Sequence, residues 1–329
     1  MGKFILFADD TNIFVASETH ESAIKKANEL LTCVSSYMYA NKLHINMKKC
    51  CYIHFKPKGP KANDDISQSE VSELPAVKIN DYEIKEVSET KFLGVTIDNN
   101  LSWLPNLTLL AKKLRCCTGQ LNRIKKYLPS SLHKNLYHTL FESHLSYGIT
   151  VWGSVSSEII KPVFTAQKHC MRIMFGDNEA YLEKHRTAAR SRPIESKKLG
   201  PEFLKKEHTK PLFNLHEILT VHNLYNYHSL LCISKILKYH TPIALYSQIS
   251  LSRRKQALII APTQVNSFVF YACCLCNIFR TLPEGRDIRD FGVSISLLKN
   301  KINGLVLRRQ KMGDEIKWHP LTNYTIADK

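Results

Sequence analysis

No part of this chain stays apolar for long. Its richest run, residues 258–279, is interrupted by Pro262, Gln264, Asn266 and Asn277. A membrane-crossing helix needs about 18 or more nearly uninterrupted apolar residues, so none is expected and no membrane partner with it. The N-terminus lacks the basic-then-apolar pattern of a secretory leader. Zinc spacing is missing as well. There are 10 cysteines, but no C-x2-C pair is matched by a second, and the histidines add no ligand spacing. Reduced thiols in an intracellular protein are the expectation, with nucleus and cytoplasm undistinguished. Only the cluster Cys273, Cys274 and Cys276 warrants a metal assay. Acid is scarce: 29 Asp and Glu stand against 46 Lys and Arg, a net charge of +17. That excess favours a polyanionic partner, nucleic acid before membrane.

What is present begins with MGKFILFADDTNIFVAS. Residues 3–7 and 12–16 read as strands joined by the short link 8–11, a β-hairpin with Asp9 and Asp10 at its tip. Adjacent carboxylates repel each other and resist burial. They are rational in a tight surface turn, or where a cation compensates them. Both strands are apolar on both faces, so the hairpin is expected inside a larger sheet. A phosphorylation receiver also places paired acids after a strand. It would need a helix directly after them and a further acid ending a later strand; residues 11–16 read as strand, and the strand at 51–55 ends without an acid.

Residues 18–40 read as a helix with Ala23, Ala27, Leu30, Leu31 and Val34 as its stripe. Residues 56–75 read as a long polar loop. Residues 77–84 form a hairpin around Asn80 and Asp81, and KFLGVTIDNNLSW begins as a strand. No acid lies between Asp98 and Glu142, where Lys112, Lys113, Arg115, Arg123, Lys125, Lys126 and Lys134 fall. Leu107, Leu110, Leu114, Cys117, Leu121, Ile124 and Leu128 recur at spacings of three and four, so this is one amphipathic helix with a cationic outer side. Such a face suits a phosphate backbone, though a solvated basic face is the plain alternative. Pro129-Ser130-Ser131 stops it and starts a second helix through residue 145. Residues 177–211 read as a polar, charged linker, loosely helical at most. Residues 212–239 read as a long, breakable helical region.

These stretches, in this order, resemble the reverse transcriptases of non-LTR retrotransposons of the jockey-like group, from the catalytic box onward. FADD matches the box, with Asp9 and Asp10 as metal ligands for two Mg²⁺ ions held about 3.5–4 Å apart in the complete palm. N-x-L-x-x-N with a following lysine matches Asn41, Leu43, Asn46 and Lys49. The resemblance implies that Lys49, with Lys48 as a rival, lies near the incoming nucleotide triphosphate. Phe92, Leu93 and Gly94 match the primer grip, although Gly94 also reads as a plain β-bulge. The cationic helix matches the thumb, which implies a partner of RNA template–DNA primer duplex; its contact residues would be Lys112, Lys113, Arg115, Arg123, Lys125 and Lys126. Tyr147, Gly148, Trp152 and Gly153 match its ending, and Gln167, Lys168 and Arg172 match a later helix. The tail at 277–302 matches a terminal segment of such elements.

The implied fold class is α+β: a partial antiparallel reverse-transcriptase palm at 1–103, a helical thumb at 104–153, a helix plus charged linker at 154–211, and a mainly helical C-terminal region at 212–329. The strand that carries a third palm carboxylate, and the fingers, would precede residue 7. The chain by itself is therefore expected not to polymerise DNA and to be poorly soluble. A non-catalytic nucleic-acid-binding protein built from the same remnant is the alternative.

Overall fold

A computed structural model describes residues 2–55, 75–176, 209–251, 259–260, 273 and 295–312. The expected loop at 56–75 except Pro75, nearly all of the linker at 177–211, the Cys274–Cys276 part of the thiol cluster and most of the 277–302 tail lie outside them. The fold is α+β. The chain divides into two compact units, Met1–Pro105 and Asn106–Lys329.

The first unit opens with β1 (Lys3–Phe7) and β2 (Asp10–Phe14), paired antiparallel from Lys3 opposite Phe14 to Phe7 opposite Asp10. α1 (His20–Ala40) follows, started by Thr19, whose hydroxyl accepts the Ser22 N–H. Then come a 3-10 turn at Met47–Lys49, β3 (Cys51–Tyr52), β4 (Lys78–Ile79), β5 (Tyr82–Glu83), β6 (Lys85–Glu86), β7 (Glu89–Phe92) and β8 (Val95–Asp98). Among the described residues every sheet has two strands, so the β1–β2 hairpin is not set in a larger one. With no third strand beside them, Phe4, Ile5, Leu6, Phe7 and Phe14 remain exposed, Leu6 at 69% and Phe7 at 61%. The pairing is not wholly antiparallel either: β3 runs parallel to β6. The expected strand at 51–55 is only two residues long.

The core of this unit is small. Ile24 of α1 meets Val77, Ile79 and Ile84, with Leu31, Ile45, Met47 and Tyr52 around them. Asn28 fixes the helix to the β4–β5 hairpin: its Nδ2 donates to the Ala76 carbonyl at 3.0 Å and its Oδ1 accepts the Lys78 N–H at 2.9 Å. The hairpin turns at Asn80-Asp81 as the sequence predicts, with Asn80 at φ 54°.

The second unit is helical. α2 (Leu104–Ile124) starts just ahead of the boundary. A helical run then extends from Ser130 through α3 (His133–Leu136), a π-turn at Tyr137–Glu142 and α4 (Ser143–Ser146). α5 (Ile149–Trp152), α6 (Ser157–Phe175), α7 (Lys210–Leu215) and α8 (Val221–Tyr239) follow, then α9 (Ile243–Tyr246), the short pair β9 (Ser250–Leu251) and β10 (Ile259–Ile260), and α10 (Ile295–Met312). The break in the 212–239 region falls between α7 and α8. Leu114, Leu121, Tyr137, Phe141, Trp152, Val163, Met171, Phe213 and Ile302 are all at most 1% exposed. Gly153 sits where a Cβ would run into the Tyr225 ring, which explains a residue without a side chain there. No helix among the described residues is long and apolar enough to cross a membrane.

Candidate nucleic-acid interface

The β1–β2 turn is tighter than the sequence suggests. Thr11 belongs to β2, and only Ala8 and Asp9 make the turn, with Ala8 at φ 51°. A left-handed alanine is strained, and the β1–β2 pairing closes directly over it. Asp9 lies in the turn and Asp10 is the first residue of β2; both are exposed. Among the described residues no group of three or more His, Cys, Asp or Glu side chains gathers where a metal could be held. Asp9 and Asp10 as they stand do not amount to a Mg²⁺ site.

Lys49 ends the 3-10 turn at Met47–Lys49 and is exposed, as is Lys48. Asn46 shapes that turn through its carbonyl, which accepts the Lys49 N–H at 3.0 Å. Neither lysine forms an ion pair with Asp9 or Asp10 among the described residues.

Phe92, Leu93, Gly94 and Val95 form the tip of the β7–β8 hairpin, with Phe92 opposite Val95. Leu93 and Gly94 have φ of 46° and 85°. A two-residue turn with both φ positive matches strand twist and normally takes Asn-Gly. Gly94 is therefore a turn glycine rather than a bulge, and Leu93 is strained beside it. Asp98, which ends β8, is 6% exposed. Its carboxylate accepts the N–H groups of Ser102 and Trp103, each at 3.0 Å. Burial pushes this acid upward, but the bonds from Ser102 and Trp103 outweigh it and hold the carboxyl below its ordinary value.

α2 buries Leu107, Ala111, Leu114, Cys117, Thr118 and Leu121. Ala111 and Thr118 are core positions that the periodicity missed. Ile124 is 38% exposed and Leu128 lies past a 3-10 turn at Lys125–Tyr127, so the stripe ends one turn early. Lys112, Lys113, Arg115, Arg123 and Lys126 are exposed on the opposite side. Lys125 is not part of that display. Its Nζ donates to the Ile173 carbonyl in the last turn of α6, which satisfies a helix-end acceptor. His144, near Lys113, is held below its ordinary value by burial and by that lysine's charge.

The described residues of this unit carry only Glu142, Glu158 and Glu217 as acids. Glu142 accepts from His138 at 3.0 Å and Glu217 from Lys311 at 2.8 Å. Gln167 proves to be a core residue. Its Nε2 donates to the Tyr137 hydroxyl and to the Leu219 carbonyl, both at 2.9 Å, and its Oε1 accepts the Val221 N–H at 2.8 Å. Gln310 of α10 grips the same turn: it donates to the Ile218 carbonyl at 2.8 Å and accepts from Thr220 N–H and Asn223 Nδ2, each at 3.0 Å. These two buried amides fix the α7–α8 turn, and nothing in local periodicity marks them.

Comparison with curated proteins finds a distant likeness. Over 173 residues, 52% of this chain, it is 21% identical to the "RNA-directed DNA polymerase from mobile element jockey" of Drosophila melanogaster. The match covers 18% of that protein's length. No family model matches the chain, and no solved structure does. The likeness supports a reverse-transcriptase-related origin.

Proposed function

We propose that this chain is the later part of a non-LTR retrotransposon reverse transcriptase, an RNA-directed DNA polymerase, and that its own contribution is to hold nucleic acid. The observation that carries the reading is the paired-carboxylate hairpin tip, flanked by apolar strands that have no neighbouring strand among the described residues. Such strands are built to lie in the middle of a sheet. In a complete palm Asp9 and Asp10 would be two of the ligands of a two-Mg²⁺ site, which supplies charge stabilisation for nucleotidyl transfer. Lys49 would stand near the nucleoside triphosphate, and the strained Phe92-Leu93-Gly94 tip would hold the primer end. The acid-free face of α2, with Lys112, Lys113, Arg115, Arg123 and Lys126, would track the phosphates of the template–primer duplex. Lys125 supports that face from behind.

The test of the polymerase reading is the native transcript ahead of the Met1 codon. The expected result is an open frame encoding a strand with an aspartate and a fingers region. Stop codons directly upstream in the transcript would count against it. A second reading, a non-catalytic nucleic-acid-binding protein of the same origin, is favoured by one specific observation. The cations Lys112, Lys113, Arg115 and Arg123 are exposed on α2, a helix that carries no acid. Under that reading Asp9→Asn leaves binding unchanged.

A further inference from the structure

α6 carries cations that the thumb comparison does not use. Lys161, Lys168 and Arg172 are spaced by seven and four residues. At about 100° per residue they fall within about 20° of one line along the helix. The opposite side of α6 is core: Val163, Ala166, Gln167, Cys170 and Met174 are buried. Lys161 is exposed, while Lys168 and Arg172 are half-buried at the edge of that core. Glu158, the acid of this helix, lies in its first turn, where the helix N-terminus favours it, and it forms no ion pair with Lys161.

Lys168 is not a loosely solvated lysine. Its Nζ stands 4.6 Å from the centre of the Phe164 ring, and that ring meets His222 edge-on at 5.3 Å. The aromatic platform fixes where this charge points. Partial burial, then the charges of Arg172 and Lys161, hold Lys168 below its ordinary value. The like charges of Lys161 and Lys168 are costly side by side, and an anion with matching charges relieves that cost.

The position of the stripe adds a second argument. Lys125, just past the end of α2, is hydrogen-bonded to Ile173, one residue beyond Arg172. The C-terminal ends of α2 and α6 therefore meet, with Arg123 and Lys126 on one side of the junction and Arg172 on the other. Each helix is about 30 Å long, so the two rows together outreach either alone.

We propose that the Lys161-Lys168-Arg172 stripe of α6 is a second phosphate-contact surface, continuous with α2 at the Lys125–Ile173 junction, and that one nucleic acid engages both. This rests on the nucleic-acid reading above, and the test separates the two. Binding of the full chain to a labelled DNA duplex of arbitrary sequence is titrated at several salt concentrations. Each phosphate contact contributes about 0.9 to the slope of log affinity against log salt. Lys161→Gln/Lys168→Gln is expected to make the slope shallower by about 2. Lys161→Gln alone, at an exposed position, is expected to make it shallower by about 1. Lys161→Arg/Lys168→Arg is expected to keep the wild-type slope. Unchanged slopes in both glutamine variants, with the wild type still salt-sensitive, overturn the α6 surface and leave α2 standing. Absence of any binding by the wild type overturns both. Loss of affinity for phosphatidylserine vesicles, with the duplex titration unchanged, assigns the stripe to a membrane and overturns the proposal.

Discussion

Single residues carry much of what holds these units in shape. Gln167 satisfies a hydroxyl, a carbonyl and an N–H at once, all of them buried. Gln167→Leu is expected to lower stability by about 2–4 kcal/mol, read from urea unfolding, because those partners lose their bonds without gaining water. Asp98→Ala is expected to cost on the order of 2 kcal/mol in the first unit, since two backbone N–H groups lose a charged acceptor. The acid's lowered pKa sets its sign with pH. Its contribution is present above the unfolded-state value and is lost as pH falls through the lower folded value. Leu93 is the reverse case. Leu93→Gly is expected to raise the melting temperature through about 1 kcal/mol of relieved backbone strain. If the hairpin tip grips a primer end, the same change weakens binding to a recessed duplex, so stability and binding move in opposite directions.

At the scale of elements, local pattern made most of the secondary structure legible. The β1–β2 hairpin, α1, the Asn80-Asp81 turn and α2 all announce themselves by spacing or by turn residues a few positions apart, whereas the Leu93-Gly94 turn reads locally as a bulged strand. What stayed hidden depends on contacts between distant segments. Gln167 looks like a surface residue of an amphipathic helix, yet its partners lie 30 to 54 residues away. Gln310 reaches back 92 residues to Ile218. Lys125 reads as one more cation of α2, and only the approach of α6 shows that it is a half-buried donor. The short parallel β3–β6 pair has too few residues to leave a period. Of the candidate site, the adjacency of Asp9 and Asp10 and the display of cations on α2 were legible; the absence, among the described residues, of a strand beside the hairpin and the α6 stripe were not. Leu114→Ala, in the buried seam of α2, is expected to cost about 2–5 kcal/mol, which thermal unfolding would register.

For the whole molecule, charge dominates. Among the described residues of the second unit acids are few, and His144, His216 and His228 sit near lysines. His216 stacks on Phe175 at 4.2 Å, and its Nε2 is buried without a hydrogen-bond partner among the described residues. Burial and Lys134 hold it below its ordinary value; burial, with Lys235 and Lys299, does the same for His228 against the pull of Glu142. A histidine kept neutral on folding stabilises fully above its unfolded value of about 6.5 and less as pH falls through the folded one. Unfolding free energy of the second unit is therefore expected to drop between neutral and mildly acidic pH, and His216→Phe is expected to flatten that drop. The same excess of cations is the basis for reading this chain as a holder of nucleic acid. The most direct measurement is the affinity of the full chain for an RNA–DNA duplex, alongside Asp9→Asn and the triple change Lys112→Glu, Lys113→Glu, Arg115→Glu. The account predicts steeply salt-dependent binding that survives Asp9→Asn and is abolished by the triple reversal. Wild-type affinity in a folded triple variant would contradict it.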